Sequence, residues 1–181
     1  MEFNEVKYQD PATKTYLGSP SLLRLANGDL LATHDYFGPG SPKNAQGEEH
    51  LTSVYRSSDE GHTWINVTHI CGAFWSGLFE HRGSVYLLGV SCQYGSIVVH
   101  RSDDGGNTWT HPLDERSGLL FKGGPLGRLR TITVRRSPCF SRKDVCTEPS
   151  RIAIPVPGQK ASARWLYRPM PRPIYSTLPR G

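Results

Sequence analysis

The octet "SSDEGHTW" (57–64) returns 45 residues later as "SDDGGNTW" (102–109), both fitting Ser-x-Asp-x-Gly-x-Thr-Trp. A fixed period constrains architecture more than any single residue does. The flanks repeat with the octets. Before each lies a short β-rich run ending in Arg, "LTSVYR" (51–56) and "SIVVHR" (96–101), and after each a Trp-led run, "TWINVTH" (63–69) and "TWTHP" (108–112). Between the octets stand two more strand candidates, "FWSGLFE" (74–80) and "SVYLLGV" (84–90), joined by the turn "HRG". The same pair occurs upstream as "PSLLRLA" (20–26) and "DLLATHDYF" (29–37), joined by Asn-Gly, a strong hairpin signal. The unit is therefore strand, tight turn, strand, loop, strand, octet, strand. Four antiparallel strands in about 45 residues is the size of one β-propeller blade.

The octets read as self-fastening turns. Asp59 and Asp104 can accept backbone N–H bonds within the turn. Gly61 and Gly106 can take a positive φ that a side chain would resist. Trp64 and Trp109 can then fill the gap between sheets. Blade one is expected over 17–70 and blade two over 71–114, with a third opening at "GLLFKGG".

These octets resemble the Asp-box, or BNR, repeat of the sialidase (neuraminidase) superfamily. The runs "YLGSPSLLRLANGDLLATHDYFGPGSP" and "GAFWSGLFEHRGSVYLLGVSCQYGSIVVHRSDDGG" are likewise similar to bacterial exo-α-sialidase-like proteins. The resemblance spans residue 16 to about 122. It implies an all-β, six-bladed parent fold, of which this chain carries two to three blades. It also implies exo-acting cleavage of a terminal sugar, a glycan or glycoconjugate partner, no cofactor, and a family often secreted or periplasmic. The arginine of the Arg-Ile-Pro motif expected at the start of blade one is missing, since those positions read Gly18-Ser19-Pro20. The nucleophilic tyrosine, its glutamate partner and two further arginines would belong to later blades. Whether the chain is an enzyme is left open; without that arginine and the later blades it is expected to be incomplete and inactive as it stands. The rival is a non-catalytic propeller that binds glycan or protein through the same face.

Propeller topology sorts the loops by end. The octets share one end with the "NG" and "HRG" turns. The opposite end collects "HDYFGPGSPKNAQGEEH" (34–50), "CGAFWS" (71–76) and "SCQYG" (91–95), and a pocket is expected there. A general acid for glycoside cleavage must be a carboxyl group, which nominates Asp35, Glu48 and Glu49. Tyr36, Trp75 and Tyr94 offer flat apolar faces for a sugar ring, and His34 and Gln93 offer hydrogen bonds to hydroxyls. The alternatives are plain ones: Asp35 as a strand cap, the two glutamates as solvated loop charges, Trp75 as a packing residue.

Composition divides the chain near Gly124. Residues 1–124 hold 9 Lys and Arg against 14 Asp and Glu, whereas residues 125–181 hold 12 against 2, ten of the twelve being Arg. Nine of the fourteen prolines fall in that last segment. The organisation is thus a lead-in (1–16), blades (17–124) and a basic, non-propeller tail (125–181). Three readings of the tail stand open: a reading-frame slip, a disordered tail, or an arm whose arginines neutralise phosphates while Trp165 and Tyr167 stack on bases. No DNA- or RNA-binding motif accompanies the third. No apolar run approaches the roughly 18–20 residues of a membrane span, and residues 1–16 lack the basic and apolar regions of a signal peptide. The four cysteines and seven histidines have no metal-ligand spacing, so no metal is expected.

Overall fold

The computed structural model describes residues 3–123, 146–148 and 151–155. Strands β2 (Tyr16–Arg24), β3 (Leu30–Phe37), β4 (Leu51–Ser57) and β5 (Ile65–Cys71) form one antiparallel sheet in the order β2-β3-β4-β5. Strands β6 (Phe74–His81), β7 (Ser84–Val90), β8 (Ile97–Ser102) and β9 (Leu119–Phe121) repeat that order in a second sheet. These are the two expected blades. A third sheet joins β1 (Phe3–Tyr8), β11 (Arg151–Pro155) and β10 (Cys146–Glu148) in the order β1-β11-β10.

Two expectations are corrected. The run "TWTHP" is not the fourth strand of blade two. Only Thr110 holds to β8, its N–H donating to the Arg101 carbonyl at 2.8 Å. Pro112 then offers no N–H to extend the ladder, and a turn closes on Asp114, which accepts from the Ser117 and Gly118 amides. The chain returns as β9, pairing Ile97 with Phe121 and Val98 with Leu119. "GLLF" therefore completes blade two and does not open a third blade. The second correction concerns the ends. "RIAIP" pairs along β1 from Phe3↔Pro155 to Tyr8↔Arg151, so part of the lead-in and part of the tail share a sheet. Pro155 sits at the strand's last residue, where a missing N–H costs the ladder least. The rest of the tail lies outside the described residues, and so do the three readings of it.

Blade one is buried on both faces, because side chains alternate along a strand. Leu30 and Ala32 of β3 join Leu17, Tyr55 and Val6 of β1 in one cluster, with Trp64 packed against it. Leu31, between them in sequence, points the other way. It joins Val54 and Ile70 with Ala73, Leu78, Val85 and Leu87 of blade two, and Trp109 packs there. Each octet's tryptophan thus fills the seam on its own blade's leading side, as the repeat implied. A Leu→Ala change at fully buried Leu31 is expected to cost ~2–5 kcal/mol.

The octets hold their turns with the same bonds. Asp59 Oδ1 accepts from the Thr63 N–H at 2.9 Å and Oδ2 from the Thr63 hydroxyl at 2.6 Å. The Ser57 hydroxyl donates to Asp59 and accepts from the Gly61 N–H, and the Trp64 indole N–H donates to the Gly61 carbonyl. Thr108, Asp104, Ser102, Gly106 and Trp109 reproduce every one of these contacts. Gly61 and Gly106 have φ of 87° and 98°. A Cβ on Gly106 would also stand 2.9 Å from Leu31 Cδ1 across the seam. Gly106→Ala is therefore expected to destabilise by about 2–4 kcal/mol, combining backbone strain with overpacking, measured as a lower urea midpoint.

Acid should loosen the fold in two stages. Burial pushes the His34 imidazole down to about 4, partly opposed by the Asp35 carbonyl. The unfolded chain takes that proton near pH 6.5, so stability falls as pH drops from there to about 4, by roughly 3 kcal/mol in full. The hydroxyl and N–H of Thr63, then Ser57, hold the Asp59 carboxyl down to about 2. Its contribution is present above the ordinary carboxylate value and lost as pH falls toward about 2. Unfolding midpoints at pH 7, 5.5 and 4 check the first stage, and His34→Phe should flatten it.

Candidate functional site

The blades present two unlike ends. At the octet end Arg24 grips both Glu60 carboxylate oxygens, at 2.8 and 2.6 Å, tying the β2–β3 hairpin to the first octet. Arg56 Nη2 donates to the carbonyl of Gly105 in the second octet, crossing the seam. At the opposite end the three expected segments meet: the β3–β4 loop (38–50), the crossover from β5 to β6, and the β7–β8 loop (91–96).

The β3–β4 loop is a built structure. Asn44 Oδ1 accepts from the Gln46 and Glu48 amides, the Asn44 carbonyl accepts from the Gly47 N–H, and Lys43 pairs with Glu49 as a small bridge. Gly47 takes a φ of 80° in the turn. The signal lay in "KNAQGEE", an Asn-x-x-Gly turn flanked by opposite charges. The loop then docks on blade two. Gln93 donates its N–H to the Glu49 carbonyl at 2.9 Å, and Cys92 Sγ donates to Glu48 Oε2 at 3.0 Å. Burial, and then the Glu48 carboxylate, push the Cys92 thiol up to about 11, so it stays a donor. The cysteine and Lys43 were not foreseen as parts of the site.

The three nominated carboxyls occupy different environments. Glu48 is half-buried and also takes a bond from Asn44 Nδ2 at 3.2 Å. Glu49 is 7% exposed, and Lys43 Nζ lies 2.7 Å from its Oε1. Its Oε2 and the neighbouring His50 Nδ1 are buried atoms without a hydrogen-bond partner among the described residues. Asp35 is 1% exposed at the blade seam. Its Oδ2 accepts from the Trp75 N–H at 2.7 Å, and its Oδ1 faces the Thr52 hydroxyl, which also faces the Ala73 carbonyl at 2.9 Å. His50 continues this seam, its carbonyl accepting from the Gly72 and Ala73 amides.

Among the ring candidates, Trp75, Tyr94 and Tyr36 are half-buried, as is Gln93. Trp75 rests on Phe74 with ring centroids 5.2 Å apart. His34 is fully buried inside blade one, stacked on Tyr55 at 5.3 Å with the Tyr36 ring edge-on at 4.8 Å. It stands beneath the site rather than on its surface. The Lys43–Glu49 pair closes the loop on itself. Lys43→Met is expected to cost about 1–3 kcal/mol, because it strands a buried carboxylate. Chemical denaturation checks this, with Lys43→Arg restoring most of the loss.

No family model and no curated protein matches the chain. Among solved structures it is similar to the GH93 α-L-arabinofuranosidase of Fusarium graminearum, at 23% identity over 60% of this chain and 34% of that one, TM-score 0.45. It is also similar to the Trypanosoma rangeli sialidase, at 23% identity over 48% of this chain and 13% of that one, TM-score 0.38. A third is the Hadza microbial sialidase Hz136, at 19% identity over 53% of this chain and 18% of that one, TM-score 0.37. The chain spans about a third of the arabinofuranosidase's length and less than a fifth of either sialidase's.

Proposed function

We propose that the chain forms the opening blades of a sialidase-like, Asp-box β-propeller glycoside hydrolase that cleaves a terminal sugar at the loop end of the blades. The observation that carries this reading is the docking of the 38–50 loop onto the 91–96 loop. That docking joins Glu48 and Glu49 of blade one to Cys92 and Gln93 of blade two, which supports reading the loop end as one site.

Glu48 is the candidate general acid, because it is the nominated carboxyl that stands partly open to a substrate. Asp35 and Glu49 are buried and serve the framework. Gln93 supplies polar contacts to hydroxyls, and Tyr94 a flat face for the ring. The substrate class is an uncharged sugar. An acidic sugar calls for a free guanidinium that can grip its carboxylate through two parallel bonds. Here Gly18-Ser19-Pro20 stands where the family's first arginine would, and Lys43 is already engaged by Glu49.

The test is a glycan array followed by hydrolysis of the matching neutral glycosides. The chain is expected to retain neutral glycans, and to release sugar from them once the later blades that would carry the nucleophile are supplied. Glu48→Gln should lower kcat about 100-fold, more for a sugar leaving group than for a nitrophenol, which departs without a proton. Release unchanged in Glu48→Gln would remove the assignment of the acid. Retention without any release would identify a glycan-binding propeller instead.

A further inference from the structure

The two blades can be subtracted from one another, since their registers superpose strand by strand. Leu30 pairs with Ser57 in blade one as Val85 pairs with Ser102 in blade two. Gly18 pairs with Asp35 as Phe74 pairs with Val90. Both innermost strands then break register, between Gly18 and Ser21 and between Phe74 and Gly77. The residue following each pair, Ser19 and Trp75, has a φ of 49°. The kink therefore belongs to the blade. The residues on it do not: blade one has Ser19 where blade two has Trp75, and blade two has the fully buried Val90 where blade one has Asp35.

What the subtraction leaves is a pair that the repeat does not require. A tryptophan in the left-handed region costs of order 1–2 kcal/mol in backbone strain, and a buried carboxylate demands donors. The two meet: the strained Trp75 N–H donates to Asp35 Oδ2 at 2.7 Å across the seam, and Thr52 and the Ala73 carbonyl complete the network. Both departures fall at the loop end, where the Ala73 amide also reaches His50, the neighbour of Glu49. Phe74 backs the indole, which remains half-exposed.

We infer that Asp35 and Trp75 together form a sugar-stacking subsite: the Asp35 carboxylate fixes the kinked Trp75 backbone, and the indole offers a flat face to the apolar C–H side of a sugar ring. This rests on the proposed reading of the loop end as a glycan site and assigns its platform. Asp35 is accordingly a positioning residue and does not deliver the catalytic proton. The ligand class is a neutral furanose or pyranose at a chain terminus.

Trp75→Ser, which copies what blade one carries at the same kink, tests the claim in the full chain. It is expected to fold about as stably as the parent, because blade one carries serine at the same φ of 49°, yet to lose affinity about tenfold or more for the neutral glycan retained on the array. Asp35→Asn keeps an acceptor for the Trp75 N–H and should retain most of that affinity. Asp35→Val, the residue of blade two, should lose it as Trp75→Ser does. Should Asp35→Val fail to fold, the Trp75→Ser and Asp35→Asn pair still decides. If the parent retains glycan and Trp75→Ser retains it equally, the subsite is overturned while the wider reading stands. If Trp75→Ser loses stability in step with affinity, the indole is a packing residue and the inference fails. A parent that retains no glycan at all overturns both.

Discussion

One carboxylate in each octet organises the rest of the molecule. Asp59 and Asp104 each gather the N–H and hydroxyl of a threonine four residues on, together with a serine hydroxyl. That closure turns the chain through a glycine at positive φ and aims an indole into the seam between sheets. The fastening needs little burial, because it is made of charge-assisted hydrogen bonds at the rim. The apolar work is done by what it positions. Trp64 and Trp109 cap two clusters that sandwich blade one, and β3 is consequently buried along most of its length on both faces.

A seam fixed at one end dictates what meets at the other. With Arg56 bound to Gly105 at the octet end, the register carries Asp35, Thr52 and His50 up against Ala73 and Trp75 at the loop end. Hydrogen bonds take over there from hydrophobic packing. His100 shows how closely the seam is drawn. Its two ring nitrogens face the Thr110 and Gly72 carbonyls at 2.9 and 3.0 Å, while burial pushes its imidazole below the ordinary value. A neutral ring serves only one of those carbonyls. The loop-end hydrogen bonds thus cross an interface that both blades must complete.

The octets, the alternation of the strands and the Asn-Gly turn made the blades readable in the amino-acid sequence, because each is a local rule with its own physical cause. The strand order of the repeat also sorted the loops between the two ends. Harder to read was whatever depended on partners distant in sequence. The bare run "GLLF" looks the same whether it ends one blade or begins the next, and only pairing to Ile97 and Val98 decides. "RIAIP" showed no alternation strong enough to name a strand until β1 lay beside it. In the site, Glu48, Glu49, Gln93 and Trp75 were nominated by residue type and loop position. Their differing roles come from burial and bonding, such as the Lys43 contact to Glu49 and the Cys92 contact to Glu48, which no local pattern encodes.

The central claim is that ligand binds at the loop end, across the seam between the two blades. Amide chemical-shift mapping on the 15N-labelled protein, titrated with a neutral oligosaccharide, tests it most directly. The account predicts shifts concentrated at residues 35, 48–50, 73–75 and 91–95, with the octet turns at 57–64 and 102–109 unmoved. Shifts gathered at the octet end, or spread without regard to the seam, would contradict it.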